Sequence, residues 1–391
     1  MNVPYATGSV PPLVCGAGEL ARLPGLLPDD AASVLLVCDV GVGAAGLVDR
    51  VENALTDAPP VTRFVAPSSE PAVATVDQAA EQARRLDRPV IVGLGGGTAL
   101  DIAKLVAGLA RTDRGLGDFL LGADTFAERA PAVMVPTTAG TGSEVTRTCI
   151  VSDAEGAKLW VWSPVLAPDA VVLDPELSVS MPRSLAVATG LDAFVHAAEA
   201  ATGQARNHVN EAFALQAVHL ATHWLETAAD GAGDLQAAGA MQESALLAGL
   251  AIDSGGTGIA HNIGHALGSL YHIPHGIAVA LALEASLGWS ANEAGARFER
   301  VAGAFGGGAT PDSLASAYTR WLERLDFAAV AAPALPSVLD AEALARAMAA
   351  DANRPMADNN ARPPAPGDLD MLARATVAVC ERYRRKRAVP A

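Results

Sequence analysis

Three short runs in the first half of the chain are apolar at consecutive rather than alternate positions: SVLLVCD (33–39), PVIVGLGGG (89–97) and AVMVPTTAGTGSE (132–144). Runs of this length, rich in branched residues, predict buried strands. Each opens into a glycine-bearing turn, with Gly41 and Gly43 after the first run. Between them, EPAVATVDQAAEQARRLD (70–87) has the composition of a helix. Strand, glycine turn and helix in repetition predict a parallel α/β sheet, whose ligands sit beyond the carboxyl ends of the strands. The texture changes near residue 183. From RSLAVATGLDAFVHAAEAATG (183–203) onward the chain is rich in Ala, Leu, Glu and Gln, without strand-like runs. The expected organisation is an α/β domain over 1–183 and an all-helical domain over 184–391, with NNARPPAPGDLD (359–370) as a loop before a last helix. No fixed-period repeat or low-complexity tract interrupts this pattern.

Composition narrows the function classes. A chain of 391 residues, 51% apolar, is long enough for two cores. Its longest apolar runs, ASVLLVCDV (32–40) and PAVMVP (131–136), fall far short of the roughly 18–20 residues that span a bilayer. The first residues, MNVPYATGSVPP, lack the basic-then-apolar order of a secretory signal. The four cysteines (Cys15, Cys38, Cys149, Cys380) are scattered without CxxC pairing, which disfavours a disulfide framework and a cysteine zinc site. A cytoplasmic location is expected. The net charge of −16 disfavours nucleic acid as a partner. The basic run RYRRKR (382–387) reads as the solvated end of the last helix.

Two of the turns carry the composition of a phosphate cradle. GLGGGTALDIAK (93–104) leaves a strand and starts a helix, where glycine admits close backbone approach and unsatisfied N–H groups attract anions. PTTAGTGSEVT (136–146) adds hydroxyls at the next strand end. Either turn alone is equally a tight connection without a ligand; together they point to a dinucleotide. Asp39 closes the first strand. There a carboxylate either caps the next turn or accepts from a ribose diol, and in the second case NAD is preferred over NADP.

All eight histidines fall between His196 and His275. Asp192 and His196 stand four apart in a helical segment and so share a face, and His261 and His265 repeat the spacing. His275 follows His261 by 14 residues, which on one continuous helix would place it about 21 Å away. Pro274 breaks that helix, and Gly276 gives the chain freedom to turn back. Asp192, His196, His261 and His275 together suit Fe(II), Zn(II) or a similar divalent ion rather than Mg(II) or Ca(II). His219 and His223 share the same spacing without a preceding carboxylate and read as packing. His272 is a solvated neighbour or a member of the site on spacing alone.

Taken in order, GLGGGTALDIAK, VPTTAGTGSEVT, LDPEL, ATGLDAFVHAAEA and HNIGHALGSLYHIPHG resemble the iron-containing (group III) alcohol dehydrogenase family, over about residues 10 to 380. The resemblance implies a dinucleotide-binding α/β domain followed by an all-helical metal domain. It implies metal ligation by Asp192, His196, His261 and His275, Fe(II) first and Zn(II) second, with His265 at the nicotinamide and substrate. It further implies cofactor contacts at Asp39, Gly95, Gly96, Gly97, Thr98, Asp101, Thr137, Thr138, Thr141 and Lys158. The chain departs from the family after Gly276, where IAVALALEASLGWS lacks the usual Leu-Pro pair, and at NARP (360–363), where the family has Asn-Pro-Arg. Arg147 and Thr148 fall where the family lines its substrate pocket.

The expected function is reversible hydride transfer between an alcohol, or a hydroxy acid, and NAD. The expected partners are a small-molecule alcohol or aldehyde and further copies of the same chain, as a homodimer or larger assembly. Nucleic acid and membranes are not among them. A lyase or cyclase of the dehydroquinate-synthase type shares the two-domain plan but calls for a pocket rich in lysine and arginine, which the histidine segment lacks. A non-catalytic scaffold would have little reason to keep four ligands and two cofactor loops.

Overall fold

Six parallel strands build the sheet of the first half: β1 (Leu13–Cys15), β2 (Ser33–Asp39), β3 (Val61–Ala66), β4 (Pro89–Gly95), β5 (Ala132–Pro136) and, from farther along, β8 (Ala170–Leu173). In this computed structural model residues 5–67, 71–153, 156–231 and 233–387 are described. The spatial order is β1-β8-β5-β4-β2-β3. From β2 the chain moves outward to β3, then returns past β2 to β4 and continues to β5. The direction of winding thus reverses between β2 and β4, and the turns that follow these two strands flank the switch point, where such sheets bind ligands. Central strands are buried along their whole length, which explains their unbroken apolar runs.

The helices of this region are α1 (Val40–Ala44), α2 (Leu47–Ala54), α3 (Val73–Arg84) and α4 (Gly97–Leu109). A second, antiparallel pair, β6 (Thr148–Ser152) and β7 (Lys158–Trp162), stands apart from the main sheet. The sequence did not lead us to expect it. Its strands are five residues long and neither is buried along its whole length: burial alternates along β6, and Val161 is the one buried residue of β7.

The helical region comprises α5 (Arg183–Thr202), α6 (His208–Ala229), α7 (Leu235–Gly255), α8 (Ile259–Tyr271), α9 (His275–Phe305), α10 (Pro311–Arg324), α11 (Phe327–Ala331), α12 (Ala341–Met348), α13 (Arg354–Asn359) and α14 (Asp368–Arg387). By contacts the chain divides into two units. One holds Thr7–Ser180 with Gly233–Gln242, so it includes the first turns of α7; the other holds Met1–Ala6, Met181–Ala232 and Glu243–Ala391.

At the centre of the helical unit lies α5, buried on every side over most of its length, as its Ala-rich sequence permits. Phe194 on α5 stacks on Tyr318 (5.5 Å between ring centroids) and meets the edge of Trp321 (5.0 Å). Any polar side chain on the remaining faces of α5 therefore requires an internal partner. The basic run at the end of α14 is only partly solvated. Tyr383 is buried, and Arg382 reaches the buried carboxylate of Glu284 at 2.7 Å. Among the described residues no helix is long and apolar enough to cross a membrane.

Candidate metal centre

Two polar residues one turn apart, Asp192 and His196, occupy the buried middle of α5. Helix α8 supplies His261 from its first turn. It ends at Tyr271, and His272 follows in the left-handed region (φ 55°) as its C-cap. Ile273 and Pro274 complete the corner, and α9 begins at His275. The return expected at HIPHG is thus made by His272 and Pro274. Gly276 has a different role from the one expected: it already lies in the first turn of α9, where a Cβ would stand 2.1 Å from the carbonyl oxygen of Ala188. Its missing side chain lets α9 approach α5 closely enough to bring His275 beside Asp192.

The four donor atoms of Asp192, His196, His261 and His275 all lie within 4.8 Å of one another. Asp192 Oδ1 is 3.5 Å from His275 Nε2, 3.7 Å from His261 Nε2 and 3.9 Å from His196 Nδ1. Ligands about 2.1 Å from one tetrahedral ion stand about 3.4 Å apart, close to these separations. The chemistry of the donors fits as well. Asp192 Oδ1 and His261 Nε2 are buried and have no hydrogen-bond partner among the described residues, and such atoms are costly unless something fills the gap. One carboxylate with three imidazoles is a donor set for Fe(II) or Zn(II) rather than for Mg(II) or Ca(II).

The electrostatics of the cluster run against burial. Desolvation would raise the pKa of Asp192, yet the imidazoles of His196, His275 and His261 hold its carboxyl well below the usual carboxylate range. Burial would likewise lower that of His261, but Glu199 and Asp192 hold it up to about 9.

Glu199 was not singled out from the sequence. It lies on α5 three residues after His196, is buried, and accepts a 2.6 Å hydrogen bond from His261 Nδ1. The available signal was the i, i+4, i+7 spacing of Asp192, His196 and Glu199, which places all three on one helix face.

His265 is half-buried and lies beside the four donors without being one of them: its ring centroid is 5.4 Å from that of His275 and 6.4 Å from that of His261. His272 is exposed at the corner. His219 and His223 sit on an exposed face of α6 with nearly parallel rings 6.0 Å apart.

In the α/β unit the two glycine-bearing turns pack against each other. Gly96 is the N-cap of α4, with no side-chain cap, and Gly97 and Thr98 open the helix. A Cβ on Gly95 would lie 2.7 Å from Ala99 Cβ and 3.2 Å from Asp39 Oδ2; one on Gly96 would lie 3.1 Å from Thr138 Oγ1; one on Gly97 would lie 2.7 Å from Thr141 Cγ2. Thr137 is buried, and its N–H donates to Gly95 O at 2.9 Å. Asp39, Gly95 to Thr98, Thr138 and Thr141 are thus gathered at the switch point. Asp39 also caps α1, its Oδ1 accepting from Val42 N at 2.9 Å. The cap engages one oxygen of a half-buried carboxylate, so a cap and a ribose partner are compatible.

Asp101, on α4, has partners within the unit. It is buried. Its oxygens accept from the hydroxyl of Ser143 and from Ile150 N (2.9 Å), and it pairs with Lys104 at 3.2 Å. The residue ties α4 to the 143–150 segment. Lys158 opens β7 opposite Ser152. Arg147 lies over the ring of Trp162 at 5.6 Å, and Thr148 begins β6.

Comparison with known proteins supplies an independent view. The family profile described as "Iron-containing alcohol dehydrogenase" matches residues 11–175, and that of the "Fe-containing alcohol dehydrogenase family, C-terminal" matches residues 186–363. The chain is 34% identical over 297 residues to the 1-propanol dehydrogenase PduQ of Salmonella typhimurium, covering 75% of this chain and 76% of that protein. It is 34% identical over 322 residues to long-chain-alcohol dehydrogenase 1 of Geobacillus thermodenitrificans, with 81% of each covered. With the NAD-dependent methanol dehydrogenase of Bacillus methanolicus it shares 32% identity over 272 residues, 68% of this chain and 71% of the other. The crystal structure of a 1,3-propanediol oxidoreductase superposes with a TM-score of 0.85 at 28% identity, covering 96% of this chain and all of that one.

Proposed function

The chain belongs to the iron-containing alcohol dehydrogenase family, and on that premise we propose that it oxidises small-molecule alcohols to the corresponding carbonyl compounds with NAD, reversibly, at a divalent ion held by Asp192, His196, His261 and His275. The observation that carries this reading is the convergence of four donors in which Asp192 Oδ1 and His261 Nε2 are buried without a hydrogen-bond partner among the described residues. Fe(II) is the preferred ion and Zn(II) the second. When bound, the ion supplies Lewis-acid stabilisation of negative charge on the substrate oxygen.

The side chains divide the remaining work. Asp192 contributes the one negative charge among the donors. His265, beside the donors, takes the hydroxyl proton as the alcohol is oxidised and returns it in reduction, a role suited to an imidazole at neutral pH. Oxidation would release one hydride, for which a bound nicotinamide would be the acceptor, and one proton, which His265 would take up, so that alcohol and NAD balance carbonyl compound, NADH and a proton. The N–H groups of Gly96, Gly97 and Thr98 at the start of α4, which no side chain caps, and the α4 dipole suit a pyrophosphate, with Thr138 and Thr141 alongside. Asp39 Oδ2 suits a ribose diol and disfavours a 2′-phosphate, which supports NAD over NADP. The relatives' names span methanol, 1-propanol and long-chain alcohols, so the substrate class is an alcohol without a fixed chain length. A cytoplasmic location, supported by four cysteines that form no disulfide with one another, and assembly as a homo-oligomer complete the reading.

The test is NADH formation by metal-stripped protein resupplied separately with Fe(II), Zn(II) and Mn(II), across short alcohols, diols and hydroxy acids. Activity is expected to return with one of these ions and to be lost in Asp192→Asn. Protein that binds NAD but yields no alcohol-dependent NADH with any ion would overturn the reading.

A further inference from the structure

The first turn of α8 is held by residues remote in sequence. Its N-cap, Gly258, has no side chain to offer. The N–H groups of Gly258 and Ala260 instead donate to Glu199, at 2.7 Å to Oε2 and 2.6 Å to Oε1. The intervening N–H of Ile259 donates to Asn360 Oδ1 at 3.2 Å. Asn360 is fixed in turn by donating to Ser290 Oγ and to the carbonyl of Arg362. A Cβ on Gly258 would lie 2.9 Å from Glu199 Oε1 and 2.8 Å from Asn360 Oδ1, so the glycine is what admits both caps.

Glu199 then makes one more bond, and it concerns the metal centre. Both oxygens already accept backbone N–H groups at the positive end of a helix. Oε2, an acceptor toward the chain, accepts likewise from the Nδ1 of His261, 2.6 Å away. In the neutral ring that a metal ion requires, the lone pair of His261 is then on Nε2, the atom 3.7 Å from Asp192 Oδ1.

We propose that Glu199 is the positioning residue of the metal centre: it fixes the tautomer and aim of His261, and its two backbone bonds hold the carboxylate in place to do so. This rests on the reading of Asp192, His196, His261 and His275 as metal donors.

The experiment measures Zn(II) affinity of metal-stripped protein by competition with a chromophoric chelator, alongside the thermal midpoint of the same metal-free protein. In Glu199→Gln the amide nitrogen is a donor. Turned toward His261 it opposes the Nδ1 proton, and turned away it opposes the N–H of Ala260, so the three bonds accepted by Glu199 cannot all be kept. Zn(II) affinity is expected to fall about 10–100-fold. Asn360→Ala removes a cap from the same turn without touching His261. It should lower the thermal midpoint while leaving Zn(II) affinity within about three-fold, a purely structural effect. Glu199→Asp keeps the charge but withdraws it from the ring, and should fall between wild type and Glu199→Gln; it carries the test should the glutamine variant not fold. An affinity within about three-fold of wild type in both Glu199 variants, or an equal loss in Asn360→Ala, would overturn the proposal. Unchanged Zn(II) affinity in Asp192→Asn would instead overturn the metal-centre reading beneath it, so the two failures are distinct.

Discussion

Asp101 with Lys104 in the α/β unit, and Asp192 with its three histidines in the helical unit, are both buried clusters of charge, yet they are completed differently. Lys104 is fully buried, and its ammonium donates to the carbonyls of Thr146 and Thr148, both at 3.0 Å, as well as pairing with Asp101. Asp101 is satisfied in turn by Ser143 and Ile150. Every strong donor and acceptor of this pair is used inside the unit, and its effect is to staple α4 to the segment that follows β5. In the helical unit, Asp192 Oδ1 and His261 Nε2 stay without a partner among the described residues. A buried cluster closed on itself is part of the scaffold, whereas one left incomplete at its centre is arranged for a guest.

The comparison can be broken most directly by a pair of substitutions. Lys104→Met should cost roughly 3–5 kcal/mol of folding stability, because it leaves Asp101 as a buried charge without its partner. His275→Ala should do the reverse. Its side chain is 26% exposed, the most of the four donors, so metal-free stability should change by about 1 kcal/mol or less while activity falls about a thousandfold. Denaturant unfolding of the two metal-free variants, set beside their kcat/KM, gives the crossed pattern. A stability loss in His275→Ala as large as that in Lys104→Met would erase the distinction.

A second test reads the closed cluster through pH. Burial pushes the carboxyl of neighbouring Glu144 up to about 7, with Asp101 adding to the rise and Lys104 opposing it. Between its ordinary value of 4.5 and about 7 the folded chain holds a proton that the unfolded chain has released. The contribution of Glu144 to stability therefore falls as pH rises through that window, by roughly 3 kcal/mol in all, and is level above it. Glu144→Gln should remove this slope. Identical pH profiles of unfolding for variant and wild type would show that Glu144 is solvated.

The smallest effect concerns the glycine-bearing turns. Gly97→Ala places a methyl 2.7 Å from Thr141 Cγ2, an overpacking worth about 1–3 kcal/mol, and NAD binding followed by fluorescence should weaken. Adding Thr141→Ser removes the offending methyl and should recover part of the loss. Two simply additive changes would mean that the turns do not press on each other.

Much of this was legible in the chain itself, for identifiable reasons. Strands buried on both faces announce themselves by unbroken apolar runs, as β2, β4 and β5 do. Edge strand β3, VTRFVA, carries an exposed arginine, and β1 and β8 are three and four residues long, below the length at which a pattern can be read. The grouping of Asp192, His196, His261 and His275 followed from helical periodicity and one proline. Glu199 was hidden because its partners lie 59 to 62 residues farther on, and a glutamate in an alanine-rich helix otherwise reads as a solvated charge. The inward partners of Asp101 were hidden for the same reason: Ser143 and Ile150 lie 42 and 49 residues farther on.

The corner between α8 and α9 sets a rule on chain length. Surface connections ordinarily tolerate insertions and deletions, but His275 is the first residue of α9, and only His272, Ile273 and Pro274 separate it from the end of α8. A corner this short has little slack, so one residue more or fewer would displace the start of α9 against α5, carrying His275 off Asp192 and Gly276 out of the notch at Ala188. The segment therefore behaves as a fixed spacer with a defined phase, and length variation in this protein is to be sought elsewhere.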